Sequence, residues 1–455
     1  MEEKTAFELL KQKKYPELRA MLATMEPADI VLLLEEADEE DLPRYYRILP
    51  KELAYETFAE MDADMQENLI RSFSDNELSE VLEEMFLDDT VDMIEEMPAA
   101  LVKRILRIAK PEMRKSINEL LNYPKDSAGS IMTIEYVDLK KTMRVSEAFD
   151  RIRKTALDKE TVYTCYVTDA GKHLIGIVTA KDLLLAPPEA IISDIMDEDV
   201  IYVSTHEDKE EVAKQINKYG FLAMPVVDAE KRLVGIVTVD DAIDVMQEET
   251  DEDFQLMAAV TPSDDSYFKT SVLSHARHRI VWLLILMLSA TFTGIIITHY
   301  EAAMSALLVS FIPMLMDTGG NCGSQSSVLI IRGMAVDEIK MKDFGRVLFK
   351  EIRIALVVGI TLACANALRI YLMYEFIYKN SELYAGFDVF RVMIVVGLTI
   401  VGACLLAKTL GCCLPMLAKR CKLDPAVMAS PMITTIVDAC TVFLYFNVAI
   451  WILKI

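Results

Sequence analysis

One stretch occurs twice in this sequence, first as Leu174-Ile-Gly-Ile-Val-Thr-Ala-Lys-Asp182 and, 59 residues later, as Leu233-Val-Gly-Ile-Val-Thr-Val-Asp-Asp241. The same displacement aligns Val167-Thr-Asp-Ala170 with Val226-Val-Asp-Ala229. Each copy has the pattern of a strand, a turn, a second strand that contains glycine, and a helix that starts near the aspartate. The dipeptides that open the two copies are Ile131-Met132 and Ile195-Met196. The repeat predicts an α/β domain of two similar halves over residues 129–246.

The sequence before this repeat has an all-helical pattern. Residues 1–128 contain no glycine, and prolines at 16, 27, 43, 50, 98, 111 and 124 separate short segments. Apolar residues recur in these segments at helical spacing, as at Leu78, Val81 and Leu82. Because the segments resemble one another loosely, we expect a superhelix of helical hairpins. The first 30 residues lack the pattern of a signal peptide, so we expect this half of the chain to stay in the cytosol.

The net charge of -24 is unevenly distributed. Residues 269–455 carry 17 Lys and Arg against 11 Asp and Glu. Residues 1–268 therefore carry 30 Lys and Arg against 60 Asp and Glu. An acidic region of this kind argues against nucleic acid and against anionic lipid as partners, because both need a basic surface. It suits a cationic partner such as a metal ion, although acidic surfaces also simply increase solubility. Seven of the eight cysteines lie in residues 269–455, in a pattern typical of packing residues rather than of zinc sites or disulfides.

A strongly acidic segment follows the repeat. The 17 residues from Asp240 to Leu256 include eight acidic residues, no basic residue, no glycine and no proline. Asp244, Glu248 and Glu252 are spaced four apart, so their charges repel along one face of a helix. We expect a cation to lie against this helix; the alternative is a solvated connector.

Long apolar runs then indicate five membrane spans, at about 280–299, 303–331, 354–374, 392–418 and 427–453. Each reaches the roughly 20 residues that cross a hydrocarbon core. Basic residues cluster before the first span and after the second and fourth, so these loops lie on the cytosolic side with the N-terminus. An odd number of spans places the C-terminus outside.

The second span contains a polar run between Pro313 and Ser327. It includes three glycines together with Asp317, Asn321 and Gln325. Polar side chains at membrane depth are costly unless they line a wet cavity. We therefore expect a broken helix here that exposes backbone carbonyls to an ion or to its water shell. Close helix packing would explain the glycines but not the three polar residues.

The fifth span contains Asp438, with no basic residue nearby in sequence. It lies 11 residues beyond Val427, or about 16 Å along a helix, near the midplane. Thr434, Thr435 and Thr441 lie close to the same face, and Asp424 lies at the cytosolic mouth. An aspartate at this depth indicates a functional site, the alternative being a carboxylate that hydrogen-bonds to a neighbouring helix.

The side chains available in these spans point to a hard cation. They offer carboxylate, hydroxyl and amide oxygens, which suit Mg²⁺ better than zinc or copper. Because Mg²⁺ keeps several waters, a sparse ring of Asp and amides is a suitable site, and a symmetric partner subunit would supply a second Asp.

The repeated Gly-Ile-Val-Thr-x-x-Asp motif resembles that of a tandem pair of CBS domains, which often bind adenine nucleotides or ions. Over its full length the chain resembles the MgtE family of magnesium channels. The strongest marks are Gly-Gly-Asn-x-Gly-x-Gln at 319–325 and Asp424-Pro-Ala followed by Thr-x-x-Asp438. The resemblance implies a superhelical N domain at 1–128, a CBS pair at 129–246 (about 129–191 and 192–246), a connecting (plug) helix at 247–274 and a five-span pore domain at 275–455.

The resemblance also implies a multi-pass homodimer of the plasma membrane with its pore at the dimer axis, lined by the second and fifth spans. Asp438 matches the ion-selecting aspartate of the family. The family's cytosolic domains bind Mg²⁺ between acidic residues and close the pore when the ion is plentiful, and ATP at the CBS pair is a further expectation. The residues that match its Mg²⁺ ligands are Asp88, Asp92, Asp208, Glu210, Asp241, Asp244, Glu249, Glu252 and Asp253. Some relatives would have an acidic ligand at Gly220, which this chain lacks.

Three alternatives remain at this point. One is a CBS-gated transporter of another solute that responds to a nucleotide. Another is a membrane-tethered enzyme, against which the absence of a P-loop, an HExxH motif and a Ser/His/Asp set argues. The third is a sensor without transport, which would leave Asp438 and the polar second span unexplained.

Overall fold

The structure is a computed structural model that describes residues 6, 8–9, 12–156, 159–263, 267, 270–301, 305–378, 388–428 and 430–454. The chain forms two compact units, Met1–Gln247 and Glu248–Ile455.

The first part of the first unit is helical, as predicted. Its described helices are α1 (Tyr15–Leu22), α2 (Pro27–Glu35), α3 (Leu42–Tyr46), α4 (Lys51–Ala59), α5 (Ala63–Ser72), α6 (Asp75–Glu84), α7 (Leu87–Glu96), α8 (Ala99–Ile108) and α9 (Pro111–Leu120). Prolines stand in the first turn of α1, α2, α3 and α9, where the missing N–H costs no hydrogen bond. A capping box of Ser74 and Glu77 starts α6. The apolar faces of these short helices pack into one core around buried side chains such as Phe58 and Leu69.

The repeat forms two small sheets with the same topology. The elements of the first copy are β1 (Asp138–Lys140), α10 (Val145–Thr155), β2 (Thr164–Thr168), β3 (Leu174–Thr179) and α11 (Ala180–Leu185). Those of the second are α12 (Ile192–Ile195), β4 (Val203–Ser204), α13 (Lys209–Tyr219), β5 (Ala223–Val227), β6 (Leu233–Thr238) and α14 (Val239–Met257). In each sheet the first pair of strands is parallel and the second antiparallel. The register is equivalent, since Val167 lies opposite Gly176 and Val226 opposite Gly235.

The dipeptide that opens each copy packs against a strand of the other copy. Thr133 exchanges backbone hydrogen bonds of 2.8 and 2.9 Å with Ile236 of the second copy. A Cβ atom on Gly235 would lie 2.7 Å from Met132 Sδ, and one on Gly176 would lie 2.9 Å from Met196 Sδ. Each opening methionine therefore packs on the strand of the other copy, and the glycine of the repeated motif leaves room for it.

The Thr-x-x-Asp end of the motif starts a helix. Thr179 caps α11, and the Asp182 carboxylate accepts back from its backbone N–H at 3.1 Å. The Thr238 hydroxyl donates to Asp241 Oδ2 at 2.5 Å at the start of α14. This half of the motif thus has a structural role in both copies.

The connecting helix is shorter than predicted. α14 ends at Met257, and residues 258–263 are not helical. Ala259 has a φ of 54°, and Pro262 disfavours helical backbone at the residue before it. Among the described residues of the predicted 247–274 segment, the first eleven belong to α14 and the last three to a second helix that begins at Val272.

The second unit is helical. Its helices are α15 (Val272–Glu301), α16 (Ala306–Val309), α17 (Ile312–Ala335), α18 (Phe344–Met373), α19 (Val389–Arg420) and α20 (Ser430–Leu453). Within the described residues, three segments are long and apolar enough to cross a membrane: Val272–Tyr300, Val389–Arg420 and Pro425–Leu453. Including α17 and α18, the described part of this unit contains five helices of 24 residues or more, and the count of five spans stays a prediction.

The prediction of a helix broken at the polar run of the second span was wrong. α17 is continuous over 24 residues, including the polar run. Pro313 lies in its first turn, where a proline is compatible with a helix and marks its start. Because the backbone carbonyls of α17 are engaged within the helix, oxygen atoms for an ion must come from its side chains.

Candidate cation sites

α17 has a polar face and a glycine face. Asp317, Asn321 and Gln325 are exposed and spaced four residues apart, so they form a stripe along one side of the helix. Gly319, Gly320 and Gly323 lie on another side and are buried against α20. The helix therefore presents a row of oxygen-bearing side chains away from its packed face.

The glycines allow α20 to approach the α17 backbone closely. A Cβ atom on Gly320 would lie 3.0 Å from Thr434 Cγ2 and 3.6 Å from Asp438 Oδ1. One on Gly319 would lie 2.8 Å from Thr441 Oγ1. The half-buried Asp438 thus lies against α17, and its charge interacts with that of Asp317. Asp438 therefore lies next to α17, within electrostatic range of Asp317, the other membrane aspartate that the sequence singled out.

Other predicted residues of this region have local hydrogen bonds. The hydroxyls of Thr434 and Thr435 each donate to the Pro431 carbonyl at 2.9 Å. Asp424 accepts from the Ala426 backbone N–H at 2.7 Å and so starts the short 3-10 helix Pro425–Met428. These residues shape the start of α20 and the chain that leads into it.

A second acidic cluster lies in the first unit. One carboxylate oxygen from each of Asp88, Glu135 and Glu160 lies within 4.8 Å of the other two. The Leu87 backbone N–H donates to Glu135 Oε2 at 3.3 Å, and the Glu160 N–H donates to the Glu135 carbonyl at 2.9 Å. Glu160 Oε2 is buried with no hydrogen-bond partner among the described residues. We call these three residues the acidic cluster.

Burial and mutual repulsion raise the pKa of several carboxyl groups here. Burial, and then the charge of Asp241, raise the pKa of Asp88 well above its usual value. The pKa of Glu160 is raised to about 8, first by burial and then by the charges of Asp89, Asp240 and Asp241. Burial is the largest cause of the pKa values of about 6 at Asp89 and Asp241. A cation placed among these groups would relieve both the repulsion and the cost of burying charge.

The structure separates the other predicted sensor residues. Asp92 lies one turn from Asp88 and is exposed, outside the acidic cluster. Asp208 caps α13 by accepting from the Glu210 N–H at 2.9 Å, and Glu210 pairs with Lys214 at 2.5 Å. Asp244 lies on α14 and interacts electrostatically with Asp241. The remaining candidates, Glu249, Glu252 and Asp253, lie on the part of α14 that belongs to the second unit.

Gly220 has a structural reason to be glycine. It ends α13 with a φ of 67°, in the left-handed region, where a side chain would be strained. Sequence reasoning missed Glu135, Glu160 and Asp89 as members of the acidic region, because no local pattern joins the segments that carry them.

Comparison with known proteins identifies three matched regions. The MgtE intracellular N domain matches residues 1–126, CBS domains match 128–189 and 192–248, and the MgtE divalent cation transporter model matches 312–448. Two similar solved structures are the cytosolic domain of the Mg²⁺ channel MgtE in complex with ATP (36% identity, TM-score 0.51, 53% of this chain and 99% of that chain) and the soluble part of a magnesium transporter (31%, 0.51, 55% and 98%).

Full-length relatives are also similar. The magnesium transporter MgtE of Thermus thermophilus is 34% identical over 99% of this chain and 98% of its own length. That of Bacillus subtilis is 31% identical over 97% and 95%, respectively. Similarity at this level over the whole length shows that the chain belongs to the MgtE family of divalent cation transporters.

Proposed function

We propose that this protein is a Mg²⁺ channel that imports the ion across the plasma membrane and that intracellular Mg²⁺ closes it. The observation that carries the proposal is the polar stripe of α17, Asp317, Asn321 and Gln325, with Asp438 packed on the same helix at Gly320. Here residues 1–128 and 129–246 sense Mg²⁺, 247–274 connect the sensor to the membrane, and 275–455 form the pore.

The stripe supports a water-filled pathway between two subunits. Three polar side chains along a membrane helix are costly in lipid but favourable against water or a second polar surface. A symmetric homodimer would bring two stripes together and supply two copies of Asp438, with the pathway along its axis. In this arrangement the five long helices span the membrane, the N-terminus is cytosolic and the C-terminus is outside.

The donor atoms favour Mg²⁺ as the ion. The side chains of the stripe and of Asp438 offer carboxylate and amide oxygens, the ligands of hard cations. Mg²⁺ gives up its waters reluctantly, so a few widely spaced oxygens suit a hydrated ion. The names of the full-length relatives, magnesium transporters, support the same choice.

The acidic cluster supports regulation by intracellular Mg²⁺. Oxygens within 4.8 Å of one another can flank a single ion, since Mg²⁺ binds oxygen at about 2.0–2.1 Å and completes its shell with water. The unpartnered Glu160 Oε2 and the raised pKa values fit such a cation. Asp88 comes from the helical domain, whereas Glu135 and Glu160 come from the CBS pair. Mg²⁺ held between them would favour a compact form of the sensor, and differential binding to that form would set the gate.

We further propose that the CBS pair binds ATP. The support is the similarity of 53% of this chain to a cytosolic domain that was solved in complex with ATP. Equilibrium dialysis of the purified protein with labelled ATP tests this directly, and absence of saturable binding would contradict it.

The decisive experiment measures Mg²⁺ uptake into proteoliposomes. Wild type, Asp438→Ala and the matched surface variant Glu338→Ala are compared with a Mg²⁺-sensitive dye in the lumen. We expect uptake by wild type and Glu338→Ala and none by Asp438→Ala. No uptake by any protein would refute the transport function, whereas equal uptake by all three would keep the function and discard the site.

Regulation is tested by measuring currents through the double variant Asp244→Asn/Glu252→Gln at different cytosolic Mg²⁺ concentrations. Neutralising these acidic residues should leave the pore open at cytosolic Mg²⁺ concentrations that close wild type. Unchanged inhibition in the double variant would contradict the proposed part of α14 in gating.

A further inference from the structure

A buried ionic group joins three helices of the second unit. Lys408 on α19 and Glu351 on α18 are 5% and 7% exposed, and Ser326 on α17 is 1% exposed. The Ser326 hydroxyl donates to Glu351 Oε2 at 2.6 Å and accepts from Lys408 Nζ at 3.1 Å. Lys408 Nζ lies 3.8 Å from Glu351 Oε2. The hydroxyl therefore bridges the two charges, and each of the three helices contributes one member.

This group lies behind the polar stripe of α17. Ser326 is nine residues beyond Asp317, which corresponds to two and a half helical turns and places it on the opposite side of the helix. One turn earlier, a Cβ atom on Gly411 of α19 would lie 2.4 Å from the Gly323 carbonyl oxygen. The backbones of α17 and α19 thus touch next to the ionic group.

The sign of the lysine charge matters for a cation pathway. Asp317 and Ser326 face opposite sides of one helix, whose diameter is roughly 10 Å, and Gln325, the sequence neighbour of Ser326, lies about 100° around the helix from it. An uncompensated ammonium at that distance, in surroundings of low dielectric constant, would repel a divalent cation twice as strongly as a monovalent one. Glu351 supplies the opposite charge at the same place.

We propose that, in the triad of Ser326, Glu351 and Lys408, the Glu351 carboxylate cancels the Lys408 charge, so that the lysine does not oppose the divalent cation. This inference rests on the proposed function. It assigns Glu351 an electrostatic part in Mg²⁺ passage, besides its part in packing, although Glu351 contacts the side of α17 that faces away from Asp317.

The test separates charge from shape at position 351. Glu351→Gln keeps the size of the side chain and removes its charge, whereas Glu351→Asp keeps the charge and shortens the side chain. The KM for Mg²⁺ uptake into proteoliposomes should rise about tenfold or more in Glu351→Gln, because the lysine charge is then unopposed. It should stay within about threefold of wild type in Glu351→Asp and in Glu351→Gln/Lys408→Met, which restores neutrality.

The outcomes distinguish this inference from the proposed function. A merely structural triad would be harmed as much by Asp as by Gln, and the double variant would be the worst of the set; that pattern overturns the inference. If Glu351→Gln is not recovered as a monodisperse protein, a tenfold rise of the KM in a folded double variant overturns it as well, and a KM close to wild type supports it. Wild-type protein without uptake would refute the proposed function and the inference together.

Discussion

Asp88 on α7 and Asp241 on α14, 153 residues apart in sequence, repel each other inside the first unit, and this repulsion contributes to the raised pKa of Asp88. Asp88 is buried and belongs to the acidic cluster, while Asp241 is held at the start of α14 by Thr238. The helical domain and the last helix of the CBS pair are thus linked by an electrostatic repulsion that a bound cation would relieve. A metal ion that neutralises it would couple the positions of these elements, which is what a sensor of Mg²⁺ requires.

The first prediction concerns Mg²⁺ binding by the acidic cluster. Glu160→Gln should weaken Mg²⁺ binding at least about tenfold, because one charge is lost a few ångströms from a divalent ion. The matched control is Glu198→Gln, since Glu198 is exposed and belongs to the same domain pair. Isothermal titration of the purified proteins measures the effect, and equal affinities in the two variants would refute a site at the cluster.

The second prediction concerns the metal-free protein. The pKa of Glu160, about 8, and those of Asp89 and Asp241, about 6, exceed the ordinary values of 4.5 and 3.8. Raised folded-state pKa values stabilise the folded unit at low pH, and this stability is lost as the pH rises through 6 and then 8. In chelator, the unfolding free energy of a fragment covering residues 1–257 should therefore fall from pH 5.5 to pH 8.

Denaturant unfolding followed by circular dichroism measures this pH dependence. Glu160→Gln should reduce the loss by up to about 1.4 kcal/mol per pH unit, because one titrating group is removed. Added Mg²⁺ should restore stability at pH 8 more than at pH 5.5. A wild-type fragment that becomes more stable between these pH values in chelator would contradict the prediction.

The sequence predicted the CBS pair well because local rules determine it. The repeated motif encodes a strand, a close approach at glycine and a capped helix, and each of these depends on neighbours in sequence or on the internal symmetry. Sequence reasoning did not show that Met132 and Met196 each pack on the opposite copy, because that exchange depends on how the two halves pair. The broken helix was a wrong prediction for a local reason: Pro313 starts α17 rather than interrupting it.

The candidate sites were harder to predict. Asp438 and Asp317 stand out as carboxylates in apolar runs, and in the structure their charges interact. The acidic cluster joins three segments that no periodicity relates, so Glu135 and Glu160 could not be found from sequence. Lys408 did carry a signal, since it is a lone basic residue within the fourth predicted span, and a charge at that depth calls for a partner.

The third prediction compares the threonines that start α11 and α14, because one should affect stability alone and the other should also affect Mg²⁺ binding. Thr179→Ala and Thr238→Ala should each lower the unfolding free energy by about 1 kcal/mol, because each removes a capping hydroxyl. Only Thr238→Ala should also change the Mg²⁺ affinity, since Thr238 holds the Asp241 carboxylate near Asp88. Unfolding curves with and without Mg²⁺ provide both quantities, and an identical Mg²⁺ response in the two variants would count against a role for Asp241.

The last prediction concerns the contact between α17 and α20. Gly320→Ala should lower Mg²⁺ uptake several-fold, because the new methyl group lies 3.0 Å from Thr434 Cγ2 and displaces the start of α20 next to Asp438. The matched control is Gly397→Ala in α19, where the nearest atom would be Ala363 Cβ at an ordinary 3.7 Å. Both variants place alanine in a membrane helix, so they differ mainly in what the methyl group meets. Proteoliposome uptake, normalised to folded protein by gel filtration, should fall for Gly320→Ala alone. Equal uptake by the two variants would mean that the close packing of α17 on Asp438 does not matter for the pathway.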